Sequence, residues 1–183
     1  YVICACDTMV YTPTYVSMIN IIAAIQEHDR GLGYQNDLLY RISADMKRLR
    51  ELTTGHVIVM GRKTWESIPE KYRPLPNRVN FVITRQEDYQ APGATVFHSP
   101  DAAFDAAQNN FPEKEIFIFG GSELYKRALP LSDRLYLTVI QGNKEADVFF
   151  PEYVDEFPVV AHDEQHVDEK TGVTYSFETR ERV

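Results

Sequence analysis

The sequence predicts an α/β protein: a doubly wound, mostly parallel sheet with helices on both faces and antiparallel strands along its C-terminal edge. Three observations predict it. Short unbroken apolar runs, such as Val57-Ile58-Val59-Met60 and Ile116-Phe117-Ile118-Phe119, have the pattern of strands covered on both faces. Such runs alternate with helical segments over the first three quarters of the chain, whereas the last two, 157–162 and 173–179, follow one another without a helix and read as a hairpin. Twice a strand passes into a helix through glycine, at Gly61-Arg62-Lys63-Thr64 and at Gly120-Gly121-Ser122, the junction at which backbone amides can meet a phosphate.

Residues 1–17 continue no pattern found later and read as an N-terminal extension, disordered or left from a preceding segment. Residues 18–183 then form a single domain, a size that supports a substantial core. The first strand, MINIIAAI, carries small Ala23 and Ala24 at its carboxyl end. Small residues there leave room for a flat ring in the crevice where open α/β sheets bind ligands, although a closely packed strand end has the same appearance. Residues 26–41 form a long polar connection with Gly31, Gly33 and Asn36-Asp37, which suits a lid or binding loop.

A helix follows, with Ser43 as its N-cap and Asp45 in its first turn, where the helix dipole favours a carboxylate. Met46, Leu49 and Leu52 predict one buried face beside it. A carboxylate bordering an apolar pocket is costly unless something binds it. Residues 69–77, with Pro69, Pro74 and Pro76, form a stiff connection, and 78–84 another strand that ends in Thr84-Arg85. Ser99-Pro100-Asp101 starts a helix whose Ala103, Phe104 and Ala107 face the core. The strand 134–141 holds Thr138 inside an apolar run, and a buried hydroxyl needs a partner.

Charge separates some function classes. The net charge of −8 argues against a nucleic-acid-binding surface over the whole molecule. Between positions 47 and 85, however, nine cations (47, 48, 50, 62, 63, 71, 73, 78, 85) face three acids (51, 66, 70). That imbalance suits a local site for a small anion, and equally a solvated basic face. Cys4 and Cys6 alone make neither a disulfide framework nor a four-ligand zinc site, so the default is a metal-free cytoplasmic protein. No apolar run approaches the roughly 18 residues of a membrane span.

Taken in order, MINIIAAI, the helix bearing Asp45, VIVMGRKTWESI, RPLPNR, FVITR, IFGGSELY and LYLTVI resemble the dihydrofolate reductase family across residues 18–183. The resemblance implies an oxidoreductase that uses NADPH to reduce dihydrofolate to tetrahydrofolate, works as a monomer and binds antifolate-type small molecules. It assigns catalysis to Asp45, Thr138 and Tyr40: Asp45 holds the protonated pterin, Thr138 supports Asp45, and Tyr40 offers a hydroxyl where the family usually has tryptophan. Ile22, Ala23, Ala24, Met46, Leu49, Ile68, Leu75, Phe119 and Tyr125 would surround the substrate, with Arg78 on the carboxylate of its glutamate tail. Phe119 stands where an aliphatic residue is usual.

The cofactor residues implied are Ala24, Gly61, Arg62, Lys63, Thr64, Thr84, Arg85, Gly120, Gly121, Ser122, Glu123, Leu124 and Tyr125, with Arg62, Lys63 and Arg85 near the 2′-phosphate. The family's Gly-Gly peptide is cis. Leu39-Tyr40 replaces the family's Pro-Trp, which puts water positioning and hydride rate in question. Two other functions share parts of this pattern. One is a reductase of the same fold acting on a pyrimidine intermediate, against which Asp45 and Arg78 argue; the other is a nucleotide-binding module without chemistry.

Overall fold

The computed structural model describes residues 17–183, except the side chains of Val159 and Val160. The expectations for residues 1–16, including Cys4 and Cys6, lie outside the described residues. Ser17, assigned above to the extension, instead packs with the fold: it is buried, and its hydroxyl donates to the Pro112 carbonyl at 3.1 Å.

In chain order the elements are β1 (Ile19–Gln26), β2 (Gly31–Tyr34), β3 (Asp37–Leu38), α1 (Ser43–Thr53), β4 (Val57–Gly61), α2 (Arg62–Ser67), β5 (Val79–Ile83) and β6 (Thr95–Phe97). There follow α3 (Pro100–Asn110), β7 (Ile116–Ile118), α4 (Ser122–Ala128), β8 (Arg134–Gln141), β9 (Val148–Phe149), β10 (Val159–His162), β11 (His166–Val167) and β12 (Thr174–Glu181). The main sheet runs β10-β12-β8-β1-β7-β4-β5-β6, with β11 on β12. Pairs from β8 through β6 are parallel, and β12 joins β8, β10 and β11 antiparallel, as the alternating and then uninterrupted runs predict.

Parallel strands covered on both sides need apolar residues at successive positions, and β4 is buried from Val57 to Met60. Because successive side chains alternate, β1 feeds two cores. Ile19, Ile21, Ala23 and Ile25 pack with α3 and α4 through Ala103, Phe104, Leu124 and Tyr125. Ile22 packs on the opposite face with Ile58, Met60 and Trp65 of α2. Helices therefore cover both faces.

Three local expectations change. Ser43 is not the N-cap of α1 but its first residue; Ile42 caps it without a side-chain bond, and the Ser43 amide is among the groups that hold the Asp168 carboxylate, in the β11–β12 turn, below the ordinary carboxylate range. The stripe of α1 is not buried: Met46 is 40% exposed, and Leu49 and Leu52 are half-buried. The long polar connection is not irregular. β2 and β3 form a hairpin whose Gln35 and Asn36 have φ of 49° and 65°, the two-residue turn that suits strand twist, and β9 pairs with β2 in a second sheet. Ser99, in contrast, caps α3 as predicted, accepting from the Ala102 amide at 3.2 Å.

Candidate active site

β1, β4, β5 and β7 end at one edge of the sheet, and β7 lies between β1 and β4, which it follows in sequence. The chain reverses its direction of travel across the sheet there, which opens a crevice beyond the strand ends. A cleft of about 920 Å³ occupies it. Its lining includes Ala24, Gly61, Arg62, Lys63, Thr64, Thr84, Arg85, Phe119, Gly121, Ser122, Glu123, Leu124 and Tyr125. Residues from four segments, named from sequence for the cofactor, thus meet in one cavity, together with Phe119, named for the substrate.

The glycine junction is shaped by close approach. Gly120 has φ +88°, and a Cβ there would lie 2.7 Å from the Tyr125 ring. Its carbonyl accepts from the Gly61 amide at 2.7 Å, which joins the two strand-to-helix turns, and the Gly120–Gly121 peptide is cis. The Tyr125 hydroxyl donates to the Ile22 carbonyl at 2.9 Å, and burial pushes its pKa well above the usual phenol range.

The cations are not equivalent. Arg62 is paired with Glu66 at 2.8 Å, one turn along α2. Lys63 and Arg85 are exposed and, among the described residues, have no carboxylate partner. Glu123, in the same lining as Lys63 and Arg85, pairs its carboxylate with Lys126 at 3.0 Å. His98 and Gln86, which the sequence reading missed, also line this end, and the His98 ring bonds the Thr84 carbonyl at 3.1 Å. The available signal was the run 94–98: a parallel strand beside 78–84 must end at the same edge. Leu32, Gly33, Asn36 and Leu38 of the β2–β3 hairpin line it too.

Asp45 lies on the α1 side of the sheet and is 8% exposed. Thr138, which pairs in register with Ala24, donates its hydroxyl to Asp45 Oδ1 at 2.6 Å. Burial pushes the Asp45 pKa up, opposed by the Thr138 hydrogen bond and the Arg48 charge. Ile22, Leu49, Ile68, Leu75 and Phe119 belong to one apolar cluster beside it. Ala23 does not join them: strand alternation sends its side chain into the opposite core.

Arg78 is half-buried at the far end of that cluster, where it donates to the Pro76 carbonyl at 3.0 Å and to Thr53 Oγ1 at 3.2 Å. Burial and the neighbouring Arg50 charge lower its pKa. Two adjacent cations prefer an anion between them, and Arg50 was not singled out from sequence because it reads as an ordinary exposed helix residue.

Tyr40 is placed differently from expectation. Its hydroxyl does not face Asp45 but donates to Gln26 Oε1 at 2.8 Å, with the Lys144 ammonium 4.4 Å from its ring centroid. A Cβ on Gly142 would lie 1.9 Å from that hydroxyl, so the ring sits flush on the β8–β9 connection. The acidic loop 142–147 is thus held to Leu39 and Tyr40 by its own lysine.

A family model described as dihydrofolate reductase matches residues 18–182. The chain belongs to the dihydrofolate reductase family. Dihydrofolate reductase of Staphylococcus haemolyticus is 36% identical over 166 residues, 90% of this chain and 96% of that protein. The Staphylococcus aureus enzyme is 35% identical over 159 residues, 85% and 94% of the two chains. A solved structure of dihydrofolate reductase from Enterococcus faecalis complexed with NADP(H) and RAB-propyl superposes with a TM-score of 0.80 at 34% identity, covering 92% of this chain and 98% of that one. As a dihydrofolate reductase family member the chain is an oxidoreductase.

Proposed function

We infer that the chain reduces 7,8-dihydrofolate to 5,6,7,8-tetrahydrofolate with NADPH, supplying one-carbon metabolism. The observation that carries this reading is the Asp45 carboxylate, withdrawn from water and bonded to Thr138, whose register partner Ala24 lines the cleft. A buried carboxylate with one oxygen still to satisfy suits a cationic, hydrogen-bonding ring. Asp45 binds the pterin through that oxygen and favours its protonated form, which makes the neighbouring carbon the better hydride acceptor.

NADPH, when bound, supplies the hydride. The cleft fits it by its donor set: Gly61, Thr64 and Ser122 at two helix starts for the pyrophosphate, and Lys63 and Arg85, without a carboxylate partner among the described residues, for the 2′-phosphate, whose roughly two charges NADH lacks. Arg62, engaged with Glu66, can exchange that partner for phosphate. Ala24, Gly120, Gly121, Leu124 and Tyr125 form the wall between the cofactor and the pterin. Ile22, Met46, Leu49, Ile68, Leu75 and Phe119 enclose the substrate's rings, and Arg78 with Arg50 takes the glutamate tail.

Residues 18–183 act as one domain, a monomer in the cytoplasm with small molecules as partners, antifolate-type inhibitors among them. The net charge of −8 supports the absence of a nucleic-acid partner. Among the described residues no helix is long and apolar enough to cross a membrane. NADPH oxidation with dihydrofolate, wild type against Asp45→Asn, tests the reading. Turnover unaffected by the substitution removes Asp45 from its role, and NADPH binding without turnover in the wild type points to a nucleotide-binding module.

A further inference from the structure

Asp45 and Arg48 are three residues apart on α1, and this spacing puts their side chains on one face of the helix. That face meets the β8–β12 pair. Arg48 Nη1 donates to the Leu137 carbonyl at 3.0 Å and Nη2 to the Glu178 carbonyl at 3.3 Å, so one guanidinium spans two adjacent strands. Leu137 and Glu178 face each other in the ladder, and the next rung pairs Thr138 with Phe177. The guanidinium lies 4.5 Å from the Phe177 ring centroid and 5.8 Å from that of Tyr136. Burial of a cation against a sheet is costly, and here two carbonyls and two ring faces offset it.

We propose that Arg48 is a positioning residue for the reaction: it clamps α1 to the Leu137–Glu178 rung, next to the one that carries Thr138, and keeps a permanent positive charge beside the Asp45 carboxylate. The proposal rests on reading Asp45 as the group that binds the pterin. Near the carboxylate, α1 is otherwise held by the Thr138 hydrogen bond and by apolar packing of Ala44 and Leu49.

The charged surroundings give the sign. Burial raises the Asp45 pKa, and both Thr138 and Arg48 bring it down. Tyr125 of α4 and Tyr175 of β12 also face Asp45, and burial raises both phenols, so they stay neutral through the working range. Asp163, from the β10–β11 connection, faces Arg48 from the other side; its carboxylate accepts the Phe177 amide at 2.6 Å and lies 2.8 Å from the His166 ring. The Glu178 carboxylate is engaged by Arg180 at 2.8 Å and stands 3.6 Å from His162. Arg48 itself stays protonated, because burial lowers an arginine pKa from a value far above neutrality. A positive charge lowers the pKa of every acid near it, so its removal moves both the Asp45 titration and that of the bound pterin to higher pH.

Three variants separate the clamp from the charge. Arg48→Gln keeps a donor for the carbonyls and removes the charge, Arg48→Lys keeps the charge, and Arg48→Met removes both. Asp45 is titrated by carboxyl carbon NMR in the cofactor-free protein, and kcat/KM is followed from acid to alkaline pH. The expected result is a higher Asp45 midpoint in Gln and Met and a near-native one in Lys. In Gln, kcat/KM near pH 5.5 falls on the order of threefold to tenfold, and the loss shrinks above neutrality.

NADPH affinity, read by fluorescence titration, stays within about twofold in each folded variant, because Arg48 lies outside the cleft. An unchanged Asp45 midpoint in Gln overturns the proposal, as does an equal shift in Lys and Gln. Should the Met variant fail to fold, the Lys and Gln pair decides. Full turnover in Asp45→Asn would remove the reading of Asp45 instead, while the NMR titration still judges the charge.

Discussion

Thr138 Oγ1 donates to Asp45 Oδ1 at 2.6 Å, joining the middle of β8 to the first turn of α1 across 93 residues of sequence. The bond is buried at both ends and opposes the desolvation that raises the Asp45 pKa. Thr138→Val removes the donor with little change of shape. A hydrogen bond to a charged group contributes about 1.5–3 kcal/mol, so kcat/KM for dihydrofolate should fall on the order of 10–100-fold. Steady-state kinetics across pH should also show the acid limb moved upward. An unmoved limb would separate the hydroxyl from the carboxylate's ionisation.

Asp45 should cost stability. A carboxyl whose folded pKa is raised binds more protons folded than unfolded, so stability falls as pH rises from the unfolded value of 3.8 through the folded one. Asp45→Asn should therefore raise Tm at neutral pH, where the wild type holds a buried anion. The gain should disappear below both pKa values. Calorimetry at several pH values checks this, and a Tm gain that persists in acid would place its origin elsewhere.

Lys63 and Arg85 carry positive charge without a carboxylate partner among the described residues, whereas Arg62 shares Glu66. Loss of one charge-assisted bond to phosphate costs about 1.5–3 kcal/mol. Lys63→Ala with Arg85→Ala should thus weaken NADPH binding by at least roughly 100-fold at low salt and leave NADH affinity within a few-fold. Fluorescence titration of the two nucleotides decides; equal losses for both would argue against a 2′-phosphate site here.

Gly142 meets Tyr40 so closely that a Cβ would fall 1.9 Å from its hydroxyl. In Gly142→Ala either the ring or the β8–β9 connection must shift, and overpacking of this kind costs about 1–3 kcal/mol. Denaturant unfolding should report that loss. Proteolysis near residues 26–41 should quicken as the Tyr40–Gln26 bond is strained.

Phe119 is half-buried, lines the cleft and packs in the cluster with Ile22 and Leu49. Phe119→Ile should widen the pocket wall and tighten binding of a bulky antifolate by several-fold, about 1 kcal/mol, the order of a removed overpacking contact. Identical inhibition constants would mean that the ring does not crowd the inhibitor.

Much of the fold could be read from local patterns. β4 and β7 show as unbroken apolar runs because strands buried on both faces exclude water at every position. The glycine at 120 marks its junction because a side chain would be obstructed there, as the 2.7 Å approach to the Tyr125 ring makes plain. The residues that the resemblance names for the cofactor, Gly120 excepted, line one cleft.

What the chain order could not convey were side-chain directions and partners distant in sequence. Ala23 and Ala24 are equally small, yet alternation along β1 sends them to opposite faces. Ser43 has the chemistry of a cap, but the Asp168 carboxylate, from the far end of the chain, reaches the helix start instead. Tyr40 offers a hydroxyl near the acid in sequence, and the folded lid turns it to Gln26. Amino-acid order settles which segments can be buried, since that depends on the apolar content of each segment alone. Which polar atom meets which depends on the packing of segments from opposite ends of the chain, and that only the assembled sheet decides.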